Sequence, residues 1–133
     1  QSIKGVTAAA HIVKPGGKIL LAAACEEGPG APEFRRMLRE FPSDEQFLKA
    51  IEHAEVVIDQ WQLEKLALVT RKAEVLWYVP GLPAEYHPTV WGTVFASIEA
   101  ACEALFAALP RGAGVAVIPE GPYVLAKVGQ ASA

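Results

Sequence analysis

Three side chains in residues 59–65 are suited to holding a small organic acid. If this stretch is helical, Trp61 and Gln62 lie four and three positions before Lys65, so all three share one face. An ammonium group can hold a carboxylate, a carboxamide can hydrogen-bond a hydroxyl, and an indole ring can form an apolar wall. The pattern therefore indicates a site for a hydroxy acid. An ordinary surface helix with a half-buried tryptophan explains the same spacing, and the spacing alone favours that second interpretation.

A second candidate site is the stretch from Lys14 to Gly30. Pro15-Gly-Gly interrupts the chain, residues 19–24 form an apolar run of strand length, and Cys25 to Gly30 form a polar, glycine-rich turn. Ligands of open α/β sheets bind outside the carboxyl ends of the strands, so this turn is a candidate site. The alternative is that its glycines only shape a tight turn. The turn does not match the dinucleotide motif G-x-G-x-x-G.

The remaining reactive side chains form no recognised catalytic or metal-binding motif. The sequence contains no G-x-S-x-G elbow, no Walker loop and no H-E-x-x-H. His11, His53 and His87 are scattered along the chain and suggest no common site. The sequence therefore assigns no catalytic residue and no metal ligand.

Alternating helical and strand patterns predict a single α/β domain over residues 1–133. The predicted helices cover residues 1–13, 32–41, 44–54, 59–72 and 94–109, and the predicted strands cover 19–24, 74–80, 115–119 and, at the edge, 123–128. Ser43, with Gln46 three residues later, marks a capped helix start. The pattern leaves open whether residues 56–58 are helical or a short extended link. We predict a three-layer α/β/α fold, Rossmann-like, with a small and mainly parallel sheet.

Composition limits the classes of partner that this domain can have. A chain of 133 residues with 52% hydrophobic content can bury its own core. The net charge of -3, without a Lys/Arg cluster, argues against nucleic acid and membrane surfaces as partners. Cys25 and Cys102 form neither metal spacing nor a disulfide framework, which predicts a cytoplasmic location. Because the helical pattern starts at Gln1 without a Met or a capping residue, we expect a fragment of a longer polypeptide.

Several segments, in this order, resemble the C-terminal lobe of the nickel-dependent lactate racemase family. They are residues 1–10, 13–19, 25–30, 59–65 and 117–121. The resemblance implies a two-lobed protein with a nickel-pincer nucleotide in the cleft between its lobes. It also implies that this cofactor takes a hydride from the α-carbon of a 2-hydroxy acid and returns it to either face, with paired histidines as acid and base. The cofactor-linking lysine and these histidines belong to the family's N-terminal lobe, so none is assigned here.

The resemblance implies that this chain supplies substrate-binding residues. The family pattern of an aromatic residue, Gln, two variable positions and Lys matches Trp61, Gln62 and Lys65, and Tyr123 would add a further wall. Lactate-specific members carry tyrosine at the aromatic position, so Trp61 puts lactate itself in doubt. The implied partners are the N-terminal lobe and a small 2-hydroxy acid, and the chain alone would be inactive. The alternative is a non-catalytic α/β module that binds a ligand or another protein.

Overall fold

The computed structural model describes residues 1–129, so the last four residues of the predicted domain 1–133 lie outside this range. The helices are α1 (Ser2–Ala10), α2 (Pro32–Glu40), α3 (Asp44–Ile51), α4 (Gln60–Thr70) and α5 (Ile98–Ala108). The strands are β1 (Lys18–Ala22), β2 (Glu74–Tyr78) and β3 (Thr93–Val94), and short 3-10 helices cover Ala84–Thr89 and Gly121–Tyr123. None of these helices is long and apolar enough to cross a membrane.

The sheet has three strands in the order β1-β2-β3, and both pairings are parallel. Lys18 is in register with Glu74, and Leu76 is in register with Thr93. A parallel pair needs a long crossover connection, which here contains α2, α3 and α4. The predicted α/β class with a small parallel sheet is therefore confirmed.

Helices cover both faces of the sheet, because consecutive residues of β2 point to opposite sides and are apolar and buried on both. On β2, Val75 and Trp77 belong to the main core, together with Val6 of α1 and Leu63 of α4. Leu76, between them, is also buried but lies outside that core. The opposite face is where α5 packs against β1 and β2. The arrangement is the predicted three-layer one.

Local capping signals in the sequence mark helix boundaries correctly. The Ser43 hydroxyl accepts a hydrogen bond from the backbone N–H of Gln46 at 3.2 Å, so Ser43 is the predicted cap of α3. Pro32 occupies the first turn of α2, where its missing N–H costs nothing. Residues 56–58, which the pattern left open, form a non-helical link between α3 and α4.

The third strand was predicted at the wrong place. It is Thr93–Val94 rather than residues 115–119, and α5 begins at Ile98 rather than at residue 94. Ser97 caps α5 by accepting from the N–H of Ala100, while Phe95 N–H donates to Trp77 O and keeps residues 93–95 beside β2. The helical periodicity through Val94 and Phe95 is thus overridden by pairing with the sheet.

The last two predicted strands are also absent from the described part of the chain. Residues 115–119 have no regular structure, and the Val117 side chain is 83% exposed. The predicted edge strand 123–128 is replaced by the end of a 3-10 helix followed by irregular chain. A β-branched run favours a strand when its side chains pack on a half-buried sheet surface, and these residues pair with no strand of the described sheet.

Candidate functional site

Helix α4 presents one face to the core and the other to solvent. Leu63, Leu66 and Ala67 are buried on the inner face, which anchors the helix. Trp61 is 53% exposed, Gln62 is half-buried and Lys65 is exposed. The packing therefore fixes the backbone that carries these three side chains while leaving their ends accessible.

Helix α4 packs beside α1, and a shallow cavity of about 240 Å³, open to solvent, lies between the two helices. It is lined by Trp61, Gln62 and Lys65 from α4, by Ile3, Lys4, Thr7, Ala8 and His11 from the first helix and its cap, and by Pro122. The volume is below the ~300–1,000 Å³ of sites for drug-sized ligands, so the cavity suits a small molecule. The structure thus brings the three predicted side chains together at one cavity.

The carboxamide of Gln62 is oriented by a neighbouring carboxylate. Gln62 Nε2 donates a hydrogen bond to Asp59 Oδ1 at 3.1 Å. Asp59 precedes α4 with a left-handed backbone, φ 64°, and its side chain makes no capping bond to the helix. Because an ionised carboxylate only accepts, it selects the Nε2 end of the amide and leaves Oε1 as the remaining acceptor.

A comparison with known families shows to which family the chain belongs. The family model described as lactate racemase C-terminal domain matches residues 1–126. The chain belongs to this family. Lactate racemases from Thermoanaerobacterium thermosaccharolyticum and from Lactiplantibacillus plantarum are each 27% identical to this family member over 130 residues. The matches cover 96% of the chain but only 30% and 31% of the two relatives, so it spans about a third of their length.

A solved structure supports the same placement within the lactate racemase family. The lactate racemase apoprotein from Thermoanaerobacterium thermosaccharolyticum superposes with a TM-score of 0.69 and 26% sequence identity. The match covers 79% of this chain and 26% of that one. The resemblance identified from the sequence segments is therefore confirmed.

Tyr123, the fourth predicted site residue, stands apart from the cavity in this lactate racemase-family domain. Its 3-10 helix packs on α1, where Gly121 approaches Gly5 so closely that an added Cβ would lie 3.1 Å from the Gly5 Cα. Pro122 reaches the cavity, but Tyr123 is 89% exposed and is not among the lining residues.

The glycine-rich turn after β1 packs against the protein itself. Gly28 N–H donates to Cys25 O at 2.9 Å, and the Cys25 thiol lies 3.3 Å from the Ser2 hydroxyl. Gly81 packs against the Cys25 carbonyl, where an added Cβ would come within 2.6 Å of the oxygen. These contacts agree with the interpretation of this stretch as a tight turn.

Sequence reasoning missed the α1 side of the cavity. Lys4, Thr7 and His11 lie at i, i+3 and i+7, a helical spacing that places them on one face. That spacing was available in the sequence, but only the packing of α1 on α4 connects it to Lys65. Of the other histidines, His87 contacts Leu82 O through Nε2 at 3.1 Å and His53 is exposed, and neither lines the cavity.

Residues 1–129 contain no group of three or more His, Cys, Asp or Glu side chains that could hold a metal ion. The described residues therefore do not fit a nickel centre.

Proposed function

We propose that this chain is the substrate-side lobe of a 2-hydroxy acid racemase or epimerase, an isomerase. The observation that carries the proposal is the convergence of Trp61, Gln62 and Lys65 on one small cavity. The family membership, and the name lactate racemase of both curated relatives, support the reaction class.

Each of the three side chains has a distinct role in this proposal. The Lys65 ammonium takes the substrate carboxylate, and Gln62 Oε1 accepts the hydrogen bond of the 2-hydroxyl while Asp59 holds its Nε2. Trp61 closes the apolar side of the cavity. The two polar contacts from Lys65 and Gln62 and the wall formed by Trp61 fix the orientation of the substrate α-carbon. Holding the substrate in this orientation lowers the activation barrier of a reaction at that carbon.

The reacting groups belong, in this proposal, to a separate N-terminal lobe. The chain spans about a third of the length of its curated relatives. We therefore assign the N-terminal lobe to the part of the complete protein that corresponds to the remaining two thirds. It would carry the nickel-pincer nucleotide and the acid/base histidines that the family resemblance implies. The chain alone would then be inactive. Tyr123 is exposed and outside the cavity lining, so it would add a wall only if the N-terminal lobe brings another surface against it.

The substrate in this proposal is a 2-hydroxy acid other than lactate. The family resemblance implies a tyrosine at this position in lactate-specific members, and Trp61 lacks its phenolic hydroxyl. The loss of a phenolic hydroxyl removes one polar contact that a lactate-specific site would have, so the substrate is expected to differ from lactate.

The test is a racemisation assay on the complete protein that carries this chain, matured with the nickel cofactor. Each enantiomer of a panel of 2-hydroxy acids is supplied separately, and bound nickel is measured in the same sample. We expect bound nickel and interconversion of at least one pair of enantiomers. Absence of both would reject the enzyme in favour of a non-catalytic α/β module that binds a ligand or another protein.

A further inference from the structure

The α1 side of the cavity carries a positive charge in addition to Lys65, which alone binds the carboxylate in the proposed function. Lys4 and His11 line the cavity from α1, opposite Lys65 on α4. They are separated by seven positions, so with Thr7 between them they form one continuous strip along the helix. The cavity thus has a cationic group on each of its two helical walls.

One carboxylate lies next to the cavity, because Asp59 accepts a hydrogen bond from Gln62 Nε2, but Asp59 is not itself a lining residue. No Asp or Glu is among the residues that line the cavity, and within residues 1–129 neither Lys4 nor Lys65 takes part in an ion pair. By contrast Lys18, Arg36 and Arg39 each pair with a glutamate elsewhere on the surface. A ligand with two negative groups would therefore have a lysine on each wall with which to pair.

The hydrogen-bonding groups near the two lysines also suit a ligand with an anionic group at each end. Thr7 Oγ1 donates its proton to Ile3 O at 2.9 Å, so its remaining capacity is that of an acceptor. The donors available to an anion on the α1 wall are therefore Lys4 and His11. On the α4 wall the charged donor is Lys65.

We propose that Lys4, assisted by His11, forms a second anion subsite, so that the cavity accepts 2-hydroxy acids with a second carboxylate. This inference rests on the proposed function for the site at Lys65. Lys65 binds the carboxylate next to the hydroxyl, and Lys4 binds the distal one. The distal charge is then the feature that separates the substrate of this protein from lactate, which has only a methyl group there.

The binding test compares succinate with butyrate by calorimetry on the complete protein. The two ligands share a four-carbon chain and differ in one carboxylate. We expect succinate to bind at least tenfold more tightly than butyrate. Lys4→Gln should remove this difference and leave butyrate binding unchanged, whereas Lys14→Gln, on an exposed loop away from the cavity, should preserve it. Equal binding of the two acids, or an unchanged preference in Lys4→Gln, would overturn the subsite.

A second variant separates this inference from the proposed function. Lys65→Gln should weaken succinate and butyrate alike, because both need the first carboxylate contact. If Lys65→Gln has no effect while Lys4→Gln still removes the preference, the subsite stands and the proposed grip at Lys65 fails. If Lys65→Gln weakens both acids but Lys4→Gln changes nothing, the proposed function stands and the subsite fails.

Discussion

Gln62 Nε2 donates a hydrogen bond to Asp59 Oδ1 at 3.1 Å, across the first turn of α4. Asp59 adopts a left-handed backbone to stand there, a conformation that few residues other than Gly, Asn and Asp accept readily. The pair therefore joins a left-handed backbone position to a side chain at the cavity. Its expected effect is to keep Gln62 Oε1 available as an acceptor.

Asp59→Asn should weaken recognition of the substrate hydroxyl. Asparagine tolerates the same backbone but can donate as well as accept, so the Gln62 amide loses its fixed orientation. We expect the affinity ratio of a 2-hydroxy acid to its deoxy analogue to fall by about two- to tenfold, the worth of one hydrogen bond. Calorimetry on the complete protein measures this ratio. Glu64→Gln, on the same helix but away from the cavity lining, is the control, and an equal fall there would contradict the assignment.

Ser43→Ala should destabilise the domain by about 1 kcal/mol, because it removes the side-chain cap of α3. Chemical denaturation gives the free energy of unfolding. Ser43→Asp keeps an acceptor at the cap and should retain most of the stability. A loss of the same size in both variants would show that the hydroxyl is not acting as a cap.

Gly92→Ala should cost about 1–3 kcal/mol, since it forces a side chain into occupied space. An added Cβ would collide with Val75 O and lie 2.6 Å from Trp77 Nε1. Gly114→Ala is the matched control, because no atom lies within 4 Å of its added Cβ and its φ is ordinary. That substitution should be neutral or slightly stabilising. Similar unfolding midpoints for the two variants would disagree with the packing described.

Phe47→Ala should lower the free energy of unfolding by about 3–5 kcal/mol. Phe47 is fully buried, with ring centroids 5.4 Å from Phe41 and 5.6 Å from Trp91. Phe106→Ala removes the same ring from an exposed position on α5 and should cost much less. Urea denaturation of both variants measures the two free energies of unfolding. Comparable decreases would show that Phe47 is not a central core residue.

The sequence predicted elements whose signals are local. The Ser43 cap, Pro32 in the first turn of α2 and the inner face of α4 each depend on neighbours within one or two turns. The face bearing Trp61, Gln62 and Lys65 followed from the same periodicity. These features needed no knowledge of tertiary contacts.

Features that depend on distant pairing escaped the sequence. Thr93–Val94 is a strand because Phe95 and β2 hold it there, and two residues give no period-2 pattern to detect. Residues 115–119 have the composition of a strand but are exposed and irregular. The contribution of Lys4 to the cavity likewise arises from α1 packing on α4, a contact between segments almost sixty residues apart.

The most direct test of the account is the effect of Lys65→Ala on interconversion of 2-hydroxy acid enantiomers by the complete protein with its cofactor. Lys14→Ala, on an exposed loop, serves as the matched control. We predict that kcat/KM falls by about 10²-fold in Lys65→Ala, as expected for loss of a charge-assisted contact worth ~2–3 kcal/mol, and is unchanged in Lys14→Ala. Full activity in Lys65→Ala would contradict the claim that this cavity holds the substrate.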